Sequence, residues 1–162
     1  LAAFGGGLAA TGVIEHFEGI LARVLALSAF LPVIMGMAGN VGVQSATVAV
    51  RGLATGAIDL HHTWRFLYKE LRVGLILGAT YGTCLALFGY FVHHSFQLGQ
   101  VVGLTIFGNM TGAALLAVLL PMIFHRLKID PAVATGPLVT TAIDVLGVLN
   151  YFAIATLVYG LG

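Results

Sequence analysis

Asp144 is the residue of this sequence with the most chemistry to explain. It is the single charged residue between Ala132 and Gly162. Read as one helix, that stretch puts Asp144 twelve positions beyond Ala132. The distance is about 18 Å along the axis, near the middle of a hydrocarbon core ~30 Å thick. A carboxylate at that depth costs ~2.5–3.5 kcal/mol on insertion scales, so it normally faces a polar interior and has a partner. No Lys or Arg of the sequence reaches that depth. A proton, water or a bound cation remains.

The neighbours of Asp144 suit a cation path. Asp130-Pro131 reads as an N-cap followed by proline at the first helical position. Pro137 then falls inside the same helix, where a missing N–H should kink or open it. Gly136 loosens that turn, and Thr140 and Thr141 add hydroxyls one turn below Asp144. In an earlier apolar stretch, Asn40 and Gln44 are four apart and share a helix face. The run from Gly39 to Ser45 is a poor surface for lipid. With opposite chain directions, Asn40 and Asp144 can meet at one height. Carboxylate, amide and carbonyl oxygens suit a hard cation such as Mg²⁺, which keeps several of its waters. One Asp cannot balance a divalent ion, whereas two copies of Asp144 across a twofold axis can. A homodimer with the pore on its axis is therefore expected. Glu15 and Glu18 could concentrate cations at an outer mouth. Enzymatic chemistry finds no support: only one Asp is deep, no intramembrane Ser has a His at its depth, and there is no phosphate-binding loop.

The elements that must hold these residues follow from composition. Of 162 residues, 59% are apolar and only 8% charged, with a mean hydropathy of +1.04. A soluble domain carries about 25% charge, so the chain reads as all-α and integral to a membrane. A net charge of +1 offers no field for nucleic acid, and the lone Cys84 cannot form an internal disulfide. Charged residues divide the sequence into apolar stretches at about 1–14, 24–50, 73–92, 101–124 and 131–160. These predict five transmembrane helices, the first truncated at its start. Gly74, Gly78 and Gly82, and again Gly108 and Gly112, repeat every four residues as helix-packing faces. Between spans two and three, Trp64, Leu67, Tyr68 and Leu71 share one face while Arg65, Lys69 and Arg72 take another. That predicts an amphipathic helix over about 63–72, lying against membrane lipid. Even-numbered connections hold six Lys or Arg (Arg51, Arg65, Lys69, Arg72, Arg126, Lys128) and odd ones hold only Arg23. The rule that positive loops stay inside then puts the N-terminus in the cytoplasm and the C-terminus outside the plasma membrane.

Two segments carry a resemblance. Pro32-Val33-Ile34-Met35-Gly36-Met37-Ala38-Gly39-Asn40-Val41-Gly42-Val43-Gln44-Ser45, continuing to Val50-Arg51-Gly52-Leu53-Ala54-Thr55-Gly56, resembles the second-helix signature of the MgtE family of magnesium channels. Asp130-Pro131-Ala132, then Gly136-Pro137-Leu138-Val139-Thr140-Thr141 and Asp144, resembles that family's fifth helix. The resemblance implies a homodimer of five-helix subunits with helices two and five lining the pore. It implies that Asp144 binds hydrated Mg²⁺, mostly through water, with carbonyl help near Thr140. Gly39, Asn40, Gly136, Thr140, Thr141 and Gly147 are then expected to line or shape a path carrying Mg²⁺ down its electrochemical gradient into the cytoplasm. The alternative is a secondary transporter exchanging the divalent ion against H⁺ or Na⁺. Family members usually carry a cytoplasmic N-terminal domain and a pair of CBS domains. Neither is in this sequence, which resembles the transmembrane domain alone. Some relatives have Asn at the position of Gly136, so that side chain's contribution to the cytoplasmic neck is not expected here.

Overall fold

Helix-forming apolar residues broken by few glycine-proline or αL positions give an all-helical chain. The computed structural model describes residues 2–56, 63–130, 132 and 136–160. Its helices are α1 (Ala2–His16), α2 (Glu18–Arg23), a 3₁₀ segment (Leu25–Phe30), α3 (Leu31–Ala54), α4 (Thr63–His93), α5 (Phe96–Arg126) and α6 (Pro137–Tyr159). Among the described residues, four helices are long and apolar enough to cross a membrane: Leu25–Ala54, Trp64–His93, Phe96–Arg126 and Pro137–Tyr159. The chain is a multi-pass membrane protein. The remaining expected span, the first, corresponds to α1, whose 15 residues reach about 22 Å.

The span expected over 24–50 opens as the 3₁₀ segment and continues as α3 to Ala54, and the one expected over 101–124 extends to Phe96–Arg126. Two further boundaries differ in kind. The helix expected over 63–72 and the span expected from 73 form one continuous helix, α4. No glycine or proline lies between Trp64 and Val73 to break it. Pro137 does not kink a helix but starts one. Gly136 takes φ 67 and ψ −123 at the N-cap of α6, a region open essentially to glycine. Pro137 follows where its missing N–H costs nothing. Asp130 still accepts a backbone hydrogen bond from Ala132 at 2.9 Å. Leu1, Pro131 and residues 133–135, included in the expected first and fifth spans, lie outside the described residues.

Packing pairs the helices in register. The α4–α5 hairpin turns at His94, with φ 51. Ser95 then caps α5 by accepting from the Leu98 N–H at 3.2 Å. Gly74 faces Ala114 and Met110, Gly78 faces Phe107, and Gly82 faces Gly103, so the two helices run antiparallel. α3 lies antiparallel to α6: Leu27, just before α3, accepts a hydrogen bond from Tyr151 at 2.8 Å, and Gly42 faces Val139 and Ile143. α1 instead runs parallel to α6. Gly6 receives Thr141, and eleven residues on along each, Phe17, just past the end of α1, stacks on Phe152 with centroids 4.8 Å apart. A core of Leu27, Phe30, Ile34, Val101, Ile106 and Tyr151 fills one end of the bundle. At the other end Leu53, Val118 and Met122 pack with Phe66 and Leu67.

Candidate functional site

Glycine in α3 brings the deep carboxylate against that helix. Gly39 is buried, and a Cβ built on it would stand 3.6 Å from Asp144 Oδ1 and 3.8 Å from Thr140 Cγ2. One turn on, Gly42 admits Ile143 and Val139. The close approach of α3 and α6 therefore rests on residues without side chains. Asp144 is half-buried at this seam. It is the seventh residue after Pro137 in a helix of 23. That is about 10 Å into about 34 Å, nearer the start of the helix than the expected midpoint. No Lys or Arg occurs in α6, nor in α3 before Arg51.

The other expected site residues divide into two groups. Gly39, Thr140 and Asp144 come together along the α3–α6 seam, whereas nothing brings Asn40 against Thr140 or Asp144. Asn40 and Gln44 are exposed on α3 beside it. The Thr140 hydroxyl donates back to the carbonyls of Gly136 at 3.1 Å and Pro137 at 3.2 Å. Its methyl, not its oxygen, faces Gly39. Gly136 stands at the start of α6 with nothing within 4 Å of an added Cβ. Thr141 and Gly147 point elsewhere in this chain. Thr141 packs into Gly6 of α1 and donates to the Ala2 carbonyl at 3.4 Å. It lies ~100° around the helix from Thr140, enough to change neighbours. Gly147 meets α5, where its carbonyl accepts from Asn109 Nδ2 at 3.2 Å. Glu15 and Glu18 are exposed at the α1–α2 junction. That junction adjoins Phe152, eight residues and about 12 Å along α6 from Asp144.

Two buried polar residues, Asn109 and Glu70, escaped the sequence reading. Asn109 of α5, 7% exposed, accepts from Asn150 Nδ2 at 2.8 Å while donating to Gly147. These amides line a cavity of about 220 Å³ between α5 and α6 with Gly108, Gly112, Ile143 and Leu146. Gly112 thus borders a groove with nothing within 4 Å of an added Cβ, whereas one at Gly108 would meet Asn150 Nδ2 of α6 at 3.1 Å. Glu70 of α4, also 7% exposed, accepts from Ser45 Oγ at 2.6 Å. That hydrogen bond ties the far half of α3 to α4. The spacing held both signals: Glu70, Gly74, Gly78 and Gly82 recur every four residues, as do Thr105, Asn109, Ala113 and Ala117. Replacing Ser45 by Ala leaves the buried carboxylate without this donor, at a cost of about 1–3 kcal/mol. Thermal unfolding should show a lowered midpoint for Ser45→Ala and a smaller loss for Glu70→Gln, which keeps an acceptor for the serine. A larger loss for Gln would assign the stabilisation to the charge and not to the hydrogen bond.

A family model described as a divalent cation transporter, MgtE, matches residues 31–154. The chain belongs to the MgtE family. The matched region contains the whole α3–α6 seam, Asp144 included. The chain is 39% identical over 156 residues to the magnesium transporter MgtE of Thermus thermophilus, and 37% over 150 residues to that of Bacillus subtilis. The magnesium transporter MgtE of Enterococcus faecalis is 36% identical over 151 residues. Each alignment covers 93% of this chain and 33% of the relative. The chain thus spans about a third of the length of these curated relatives. The family is one of transporters, not of enzymes.

Proposed function

We propose that this chain is the transmembrane domain of a Mg²⁺-selective channel that works as a homodimer. The observation that carries the reading is Asp144, half-buried against Gly39 in a family of divalent cation transporters. Beside this pair, Asn40 and Gln44 expose amides from the middle of a span. Lipid is a poor environment for them, so they face water or a second copy of the chain. A twofold axis along α3 and α6 puts two Asp144 carboxylates around one path and balances a divalent charge. Mg²⁺ surrenders its waters reluctantly, so the carboxylates hold the hydrated ion through water. Asn40 and Gly39 shape the same stretch, and Gly136 and Thr140 shape its approach. Thr141 and Gly147 act from behind, fixing α6 against α1 and α5. Glu15 and Glu18 stand at the outer mouth.

The parallel register of α1 and α6 supports five crossings. Helices that run side by side in one direction require an even number of turns between them, which α3, α4 and α5 provide. Lys and Arg gather at the far ends of α3 and α5 and at the start of α4, which supports a cytoplasmic position for that side and for the N-terminus in a plasma-membrane protein. The cytoplasmic N-terminal and CBS domains that the resemblance implies would belong to the two thirds of the relatives' length that this chain does not match.

The test is Mg²⁺ uptake into proteoliposomes holding the chain, with and without a proton or Na⁺ gradient. Uptake driven by a Mg²⁺ gradient alone is expected. Uptake that follows the proton or Na⁺ gradient would overturn the channel reading in favour of exchange.

A further inference from the structure

We propose that the exposed face at the start of α4, formed by Trp64, Arg65, Tyr68, Lys69 and Arg72, docks the headgroups of anionic phospholipids. The inference is independent of Mg²⁺. It begins with length. α4 has 31 residues, about 46 Å of helix, against a hydrocarbon core of ~30 Å. The charge-free stretch 73–92 fills that core by itself. The ten residues before it therefore extend about 15 Å through the headgroup layer.

The two faces of this extension have different partners. Glu70, Gly74 and Gly78 turn inward, toward Ser45 of α3 and the backbone of α5. Trp64 is 76% and Tyr68 54% exposed, and Arg65, Lys69 and Arg72 are exposed with them. Trp64, Tyr68 and Arg72 recur every four residues, and the next position is Ile76, itself 65% exposed. The aromatic and basic stripe thus runs without interruption into the surface of α4 that meets acyl chains. Tryptophan and tyrosine favour that boundary. The Arg72 guanidinium lies 5.4 Å from the centre of the Tyr68 ring. Such stacking uses the face of the guanidinium and leaves its N–H edge for phosphate oxygens. The one acid of this segment, Glu70, is buried on the other side, against Ser45.

Trp64 is the only tryptophan of the chain, so its fluorescence reports on this surface alone. The chain is reconstituted in vesicles in which brominated phosphatidylglycerol or brominated phosphatidylcholine quenches nearby tryptophan. The anionic lipid should quench at a mole fraction lower by about threefold or more, in keeping with the attraction of each basic residue for an anionic surface. Raising the salt should shrink that preference. The combined Arg65→Gln, Lys69→Gln and Arg72→Gln variant, with helicity checked by circular dichroism, should quench equally with both lipids. Aqueous glycerol phosphate should leave the preference unchanged. Equal quenching in the unmodified chain, a preference that survives in the variant, or displacement by glycerol phosphate would each overturn the proposal. So would a Trp64 that neither lipid reaches, which would mean that protein covers this face.

Discussion

Replacing Asp144 by Ala should lower the initial rate of Mg²⁺ uptake into proteoliposomes by at least about a hundredfold, equivalent to ~2.7 kcal/mol. That threshold is low for the interaction removed. At an effective dielectric of ~20, a carboxylate about 4.5 Å from a divalent ion contributes about 7 kcal/mol before desolvation. A twofold axis removes that contribution twice. The same substitution should leave thermal stability in the absence of Mg²⁺ unchanged or raised. A carboxylate at membrane depth costs energy to place, and nothing in α6 or the facing part of α3 neutralises it. Activity and stability should therefore move apart, which misfolding could not produce. Asp144→Asn separates charge from shape. It keeps an acceptor oxygen against Gly39, so near-complete loss in Asn would assign the effect to charge. Uptake retained in both variants would remove Asp144 from the ion path.

Asp144 and its partner helix were legible because membrane depth makes polarity conspicuous. A carboxylate among apolar residues, or Asn40 and Gln44 on one helix face, has few uses there. The α4–α5 seam was legible for a related reason, since glycine at intervals of four has one common use in lipid. Orientation around each helix was harder to read. Thr140 and Thr141 are one residue apart, yet one faces Gly39 and the other Gly6. Only the positions of α1 and α3 decide between them. Gly147 could be drawn beside Asp144 or against Asn109 for the same reason. Glu70 was hidden by its neighbours Lys69 and Arg72, which made the segment look solvated. The period that buries it depends on glycines that follow it. The start of α6 was misplaced because Pro137 is allowed either inside a kinked helix or at its first turn. The φ of 67 at Gly136 decides for the first turn, and a sequence shows no backbone angle.

Gly78→Ala should lower the thermal midpoint of the folded chain by several degrees, and Gly78→Leu should prevent stable assembly of α4 on α5. A Cβ at Gly78 would stand 2.9 Å from the Phe107 carbonyl oxygen and 3.1 Å from its Cα. Both atoms belong to the α5 backbone, so relief requires the helices to part. The seam has little room to share the strain. A Cβ at Gly82 would reach the Gly103 carbonyl at 2.7 Å, and one at Gly99 would reach the Ala86 carbonyl at 2.6 Å. Overpacking of this kind costs about 1–3 kcal/mol for small additions, or roughly 2–12 °C in a chain of this size. Gly12→Ala in α1 is the control, because nothing lies within 4 Å of its added Cβ. There alanine should be neutral or stabilising by up to ~1 kcal/mol through helix propensity alone. Equal midpoints for the two alanine variants would show that the α4–α5 seam tolerates separation. A loss confined to Gly78 would show that α4 is held chiefly by backbone contact. The effect should be large because the outer face of α4, from Ile76 to Phe91, is open to lipid, which supplies no hydrophobic pressure to hold two helices together.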